Sequence, residues 1–187
     1  MSMLEKARTI VGMYGENDIR SRLKADHETI RELAEGMCED PTNSKRVSDF
    51  KQLKKILTAH ARAEEAVVYA ALIKMRKSRD SRDYGNEGNV EHGIVDGLLT
   101  QIAATRPGGS DLWRARAKVL HELLKHHIDE EEKNVFEELG EHFDDARREQ
   151  MADDFEARKA RLLGRNRSFA KPRSSGRDGT APSAARA

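Results

Sequence analysis

The sequence predicts an all-α protein: an antiparallel four-helix bundle with an extra C-terminal helix and a disordered tail. Three observations predict it. Apolar residues recur at three- and four-residue spacing in five blocks between residues 18 and 163. The 187 residues hold only four prolines, two of which, Pro172 and Pro182, lie near the C-terminus. The chain is 36% charged and 5% aromatic, and is rich in Ala, Leu, Glu, Lys and Arg, which sit well in helices.

The first helix is expected over about Asp18 to Cys38, with Ile19, Leu23, Ile30, Leu33, Ala34 and Met37 on one stripe and Asn17 or Asp18 as its N-cap. The segment EDPTNS, residues 39–44, reads as a turn in which Ser44 caps the next helix. That second helix is expected over about Lys45 to Lys77, carrying Phe50, Leu53, Ile56, Leu57, Val67, Val68, Ala71 and Leu72. The stretch SRDSRDYGNEGN, residues 78–89, reads as a loop. A third helix follows over about Val90 to Thr105, ended by Pro107-Gly108-Gly109. Ser110 or Asp111 caps a fourth, which runs to about Leu139 before Gly140, with Trp113 as a core anchor at its start. A fifth amphipathic stretch, about Asp144 to Leu163, carries Met151, Phe155 and Leu162 and is expected to pack outside the bundle or extend from it. Short connections between four long helices are what indicate the antiparallel bundle.

Charge divides the chain in two. Nine of its 34 basic residues, but only one of its 33 acids, lie from Arg158 onward, leaving 25 bases against 32 acids, a net of −7, in residues 1–157. From Gly164 the sequence GRNRSFAKPRSSGRDGTAPSAARA has one aromatic residue and no periodicity. It cannot bury enough apolar surface to offset its ordering entropy. The expected organisation is therefore a folded domain over 1–163 and a disordered basic tail over 164–187. The tail contains no recognition module, so a solubilising role is expected rather than contact with nucleic acid. The longest apolar run is AVVYAALI, residues 66–73, far short of the roughly 20 residues a membrane span needs. One cysteine, Cys38, makes neither an internal disulfide nor a thiolate zinc site and reads as inert. The N-terminus has no apolar stretch resembling a signal peptide, and a cytoplasmic location, as monomer or homodimer, is expected.

Seven histidines stand at positions 27, 60, 92, 121, 126, 127 and 142, and an internal repeat sets two of them apart. Residues 56–72, ILTAHARAEEAVVYAAL, align with residues 123–139, LLKHHIDEEEKNVFEEL. His60 matches His127, Glu64 matches Glu131, and Glu65 matches Glu132. Residues four apart share a helix face, so each His-x3-Glu pair points into the bundle from the middle of an apolar stripe. Buried carboxylates are costly unless paired or metal-bound. With no Lys or Arg on those stripes, the pattern calls for a cation, and imidazole with carboxylate suits iron, manganese or zinc. His27 lies toward the edge of the first stripe. His92 is the weakest placement, Glu91 is a rival donor nearer the centre of its stripe, and Asp96 could reach the site at a poor angle. His126 reads as peripheral, and His121 and His142 as solvent-facing. Glu65 and Glu132 could orient the ligand imidazoles or merely be solvated. At 100° per residue, Tyr69 and Phe136 fall off the ligand face and read as packing residues.

The segments LKADHETIREL around His27, HARAEEAVVY from His60, EHGIVDGLL from Glu91 and HIDEEEKNVF from His127 resemble the hemerythrin and hemerythrin-like (HHE cation-binding) family over about residues 17–163. The resemblance implies a non-haem centre of two iron ions, oxo- or hydroxo-bridged, in the bundle core. It implies His27, His60, His92 and His127 as terminal ligands and Glu64 and Glu131 as bridging carboxylates. The oxygen carriers of that family have two histidines four apart on the third helix, and here position 96 is Asp. They also place their last carboxylate five residues after its histidine, as an Asp. One histidine is thus missing, which shifts the expectation from dioxygen carriage toward catalase-like reaction with hydrogen peroxide. The alternative is binding, sensing or storage of O2, NO or iron without turnover.

Overall fold

A computed structural model of the chain describes residues 13–39, 42–106 and 110–168, with side chains to residue 164. Among the described residues there are five helical rods and no strand. The first rod is α1, Ile19–Glu39. The second comprises α2, Asn43–Glu64, a π-helical turn, Glu65–Tyr69, and α3, Ala70–Ile73. The third is α4, Arg79–Ala103. The fourth comprises α5, Asp111–Glu130, a π-helical turn, Glu131–Val135, and α6, Phe136–His142. The fifth is α7, Asp145–Ser168. Packing joins α1 to α2 and α5, and α4 to α5 and to the α3 end of the second rod, closing the bundle. The fifth rod lies outside it against α1 and α2.

The caps follow local chemistry. The Asp18 carboxylate accepts from the Arg20 backbone N–H at 2.9 Å and opens α1. Ser110 accepts from Trp113 N–H at 3.2 Å and opens α5. The second helix begins two residues earlier than its periodicity suggests: Thr42 holds the N-cap position without a side-chain capping bond, and Ser44 is inside the helix. The second rod ends at Ile73 rather than Lys77, and the fourth passes through Gly140 to stop at His142, where Phe143 turns extended.

The largest correction concerns residues 78–89. They are not a loop: Ser78 caps α4 by accepting from Ser81 N–H at 3.0 Å, and the helix starts eleven residues before Val90. Gly85 and Gly88 make this stretch look like a turn because glycine disfavours helix interiors. In the fold they serve close packing. A Cβ on Gly85 would stand 3.2 Å from the Tyr69 carbonyl oxygen, and one on Gly88 2.4 Å from Tyr69 Cζ.

Helix α7 continues to Ser168, past the expected domain boundary at residue 163. The rest of the tail, residues 169–187, lies outside the described residues.

Two apolar clusters fill the interior. One gathers Ile30, Leu53, Leu57, Leu99, Trp113, Leu120, Leu124 and Ile128. The other gathers Ile19, Leu23, Ala63, Val68, Leu72, Val135, Phe136, Leu139, Met151 and Phe155. Each fully buried aliphatic side chain contributes about 1.5–3 kcal/mol. Along the rods, His27 falls between Leu23 and Ile30, His60 between Leu57 and Ala63, and His127 between Leu124 and Val135. A polar layer thus separates the two clusters. The described helices include none long and apolar enough to cross a membrane.

Candidate metal centre

The polar layer contains His27, His60, Glu64, His92, His127 and Glu131, all buried. They form two overlapping groups whose potential ligand atoms lie within 4.8 Å of one another: His27, His60, Glu64 and Glu131, and Glu64, His92 and His127. Glu64 belongs to both. His27 Nε2 is 3.3 Å from Glu131 Oε2, and His60 Nε2 is 3.4 Å from Glu64 Oε2. His127 Nε2 is 3.4 Å from Glu131 Oε2, and His92 Nε2 is 3.6 Å from Glu64 Oε2. Two ligands each about 2.1 Å from one ion stand about 3.0–3.4 Å apart at ordinary coordination angles. The spacing therefore suits a shared cation.

Four carboxylates outside this layer aim the imidazoles. Nδ1 of His27 meets Glu132 Oε1 at 3.2 Å, and Nδ1 of His60 meets Asp26 Oδ2 at 3.1 Å. Nδ1 of His92 meets Glu65 Oε1 at 3.1 Å, and Nδ1 of His127 meets Glu91 Oε2 at 2.5 Å. Each pairing makes Nδ1 the N–H donor and leaves the Nε2 lone pair facing inward. The Glu-Glu steps explain two of the four. Glu64 and Glu131 point inward, and the next residue, about 100° around the helix, reaches the histidine of a neighbouring helix.

The fit to a metal rests on atoms left without partners. His27 Nε2, both Glu64 oxygens and Glu131 Oε2 are buried and have no hydrogen-bond partner. Such groups cost about 1–3 kcal/mol each when unsatisfied, and more when charged. His92 Nε2 and His127 Nε2 face each other at 3.2 Å, which opposes two lone pairs unless a cation intervenes. Protons take up the deficit otherwise. Burial alone would lower the His60 pKa, but the Glu64 and Asp26 carboxylates outweigh it and raise it to about 10. His127 is raised to about 9, against burial, by Glu131 and Glu91. Such a donor set accepts a cation in place of protons.

Tyr69, which the angular count reads as a packing residue off the ligand face, stands at the layer instead. It is fully buried, and its hydroxyl donates to Glu131 Oε1. Its ring lies 5.4 Å from that of His92. The matching Phe136 stacks on His27, with centroids 6.2 Å apart and planes 15° apart. The π-helical turns are the reason. A count of 100° per residue puts Tyr69 and Phe136 off the ligand face, but each turn inserts a residue, so positions five apart share a face. Tyr69 follows Glu64 by five, and Phe136 follows Glu131 by five. Burial and the Glu131 and Glu64 carboxylates hold the Tyr69 hydroxyl well above its ordinary pKa.

The remaining candidates stand elsewhere. Glu91 is a partner of His127 Nδ1 rather than a rival on the inner layer. Asp96 pairs with Arg62 on the flank and does not replace the missing histidine. His126 is 63% exposed, with Nε2 3.7 Å from Glu130. Asp26 was not singled out by the sequence; its adjacency to His27 hides that it serves His60. Cys38 is half-buried, and burial with nearby Glu39 and Glu122 pushes its thiol up to about 11.

The family model described as the hemerythrin HHE cation-binding domain matches residues 18–139, which contain every residue of this layer. A DNA nickase of Nostoc sp. (strain PCC 7120) is 26% identical over 149 residues, 79% of this chain and 41% of that protein. The chain thus spans about two fifths of that relative's length. No solved structure matches it.

Proposed function

Since the chain belongs to the hemerythrin HHE cation-binding family, we propose that its polar layer holds two iron ions and reacts with hydrogen peroxide in a catalase-like manner. The observation that carries the reading is the set of buried, unpartnered ligand atoms on His27, Glu64 and Glu131. His27, His60, Glu64 and Glu131 would hold one ion, and Glu64, His92 and His127 the other, with Glu131 Oε2 also near His127. The carboxylates of Glu64 and Glu131 would be shared.

The bound ions would supply the exchange of two electrons: one peroxide accepts two electrons and two protons to give two waters, and a second releases as many to give dioxygen. The chain's own groups do the rest. Asp26, Glu65, Glu91 and Glu132 hold the imidazoles in one tautomer and orientation. Tyr69 keeps its proton and steadies Glu131 through Oε1. A cleft of about 20 Å³, lined by Tyr69, Gly88, Glu91, His127 and Glu131 among others, reaches one ligand of each group, Glu131 of the first and His127 of the second. That volume suits a water or a molecule of similar size. The second group also has the smaller protein donor set, which favours exchangeable positions there.

Elemental analysis of protein expressed with ample iron should find two irons per chain. The loaded protein should release oxygen from peroxide, and His60→Ala and Glu64→Ala should lose both iron and this reaction. Only trace metal would overturn the centre. Iron-loaded protein that consumes peroxide no faster than free iron, yet binds dioxygen reversibly, would assign a carrier or sensor instead.

A further inference from the structure

The four carboxylates that aim the imidazoles are not equivalent. Lys159 Nζ bonds both oxygens of Asp26 at 2.8 Å. Lys24 and Arg31 cover Glu132, and Arg62 covers Glu65. Three corners of the layer are thus closed by a cationic side chain. Among the described residues, Glu91 alone of the four has no Lys or Arg paired with it.

Glu91 opens onto the cleft instead. The cleft is lined by the four carboxylates of Glu87, Glu91, Glu130 and Glu131 and by the single imidazole of His127, with no Lys or Arg among its lining residues. Glu131 is 4% exposed and its Oε2, which has no hydrogen-bond partner, faces the imidazoles of His27 and His127, so the cleft ends at a buried carboxylate of the inner layer. Ligand atoms of Glu91 and Glu130, which line the cleft, and of His126, which stands beside it in sequence, lie within 4.8 Å of one another on side chains that solvent can reach. One residue later on the same helix, His127 and Glu131 belong to the buried layer. The chain therefore presents an imidazole and carboxylates outside, the same chemistry inside, and Glu91 touching both.

We propose that Glu91, His126 and Glu130 form a loading port, which captures a divalent cation from solvent and passes it along the cleft to His127 and Glu131. The inference rests on the reading that the buried layer binds iron. Capture needs no redox step: the ion exchanges water for carboxylate and imidazole, then exchanges those for the inner ligands. The exposed side chains bind it weakly enough to release it, and the uncovered negative charge raises its local concentration. Electrostatic focusing of this kind raises association rates by about 10- to 1000-fold and weakens with salt.

The test follows uptake of ferrous ion by metal-free protein, anaerobically, as loss of chelator-accessible iron in a stopped-flow instrument. The variant is His126→Gln with Glu130→Gln, and the control is Glu35→Gln, an exposed acid elsewhere on the bundle. At low ionic strength the double variant should fill about tenfold more slowly than wild type, with the same final iron per chain, and the gap should shrink in high salt. The control should fill at the wild-type rate. Equal rates for wild type and the double variant would overturn the port while leaving the centre intact. A lower final capacity would place His126 or Glu130 in the centre itself and also overturn it. Wild-type protein that takes up no iron would remove centre and port together.

Discussion

Replacing Gly88 by alanine should destabilise the protein, although the same change at Gly93 or Gly97 of the same helix should stabilise it. The Cβ at position 88 would lie 2.4 Å from Tyr69 Cζ, 2.5 Å from its hydroxyl oxygen and 2.6 Å from Cε2. Ordinary contact needs about 3.5–4.0 Å, so the ring must recede by more than an ångström. It has no room: Tyr69 is fully buried, with Glu131 at its hydroxyl and His92 against its face. Overpacking of this kind costs about 1–3 kcal/mol, and loosening the bond to Glu131 adds about 1 kcal/mol. Better helix propensity returns about 1 kcal/mol. The net is a loss of about 2 kcal/mol, or about 5 °C in Tm for a chain of this size. Gly93 and Gly97 have open space where a Cβ would go, so alanine there leaves the propensity gain alone. Denaturant unfolding of the three variants with a chelator present reads the difference without interference from metal. A Gly88→Ala protein as stable as Gly93→Ala would refute both the helical assignment of residues 79–89 and the seating of Tyr69.

Three further outcomes follow from the same geometry. His127→Ala should lose iron at equilibrium and His126→Ala should keep it, as elemental analysis of each would show; the reverse pattern would shift the register by one residue. Asp18 is buried and bonded to Arg148 Nε at 2.8 Å and to Arg20, and these bonds outweigh burial to hold its carboxyl below 3.8. A carboxyl with a depressed folded-state pKa contributes stability above its unfolded value and loses it as pH falls through the folded one. Wild type should therefore exceed Asp18→Asn by about 2 kcal/mol at pH 7, with the gap closing below about pH 4; a gap that does not change with pH would dismiss the ion pair. Cys38 should react with iodoacetamide at pH 8 far more slowly than a free thiol, because its pKa near 11 leaves little thiolate; alkylation at the free-thiol rate would show the group to be exposed and ionised.

Much of the fold was legible because helix faces are a local property. Spacing of three and four put Leu23, Ile30, Leu57, Leu124 and their neighbours on stripes, and the same periodicity turned His60, Glu64, His127 and Glu131 inward with them. The repeat made those four stand out without any knowledge of neighbouring helices. Ser110 and Asp18 announced helix starts through chemistry confined to one turn.

What tertiary structure decided is everything that depends on distances between helices or on departures from 3.6 residues per turn. Gly85 and Gly88 read as breakers alone, and only the ring and backbone of Tyr69 pressed against them explain why they sit in a helix. The π-helical turns at Glu65–Tyr69 and Glu131–Val135 re-phase the rods by one residue, which no regular angular count shows, and this brings the Tyr69 hydroxyl to Glu131. Asp26 serves His60 and Glu91 serves His127, because the imidazole within hydrogen-bond distance of each carboxylate lies on another helix. Periodicity determines which side of a helix a group occupies; packing determines which atom it meets, and so which carboxylates are covered by a cation and which one is left facing the cleft.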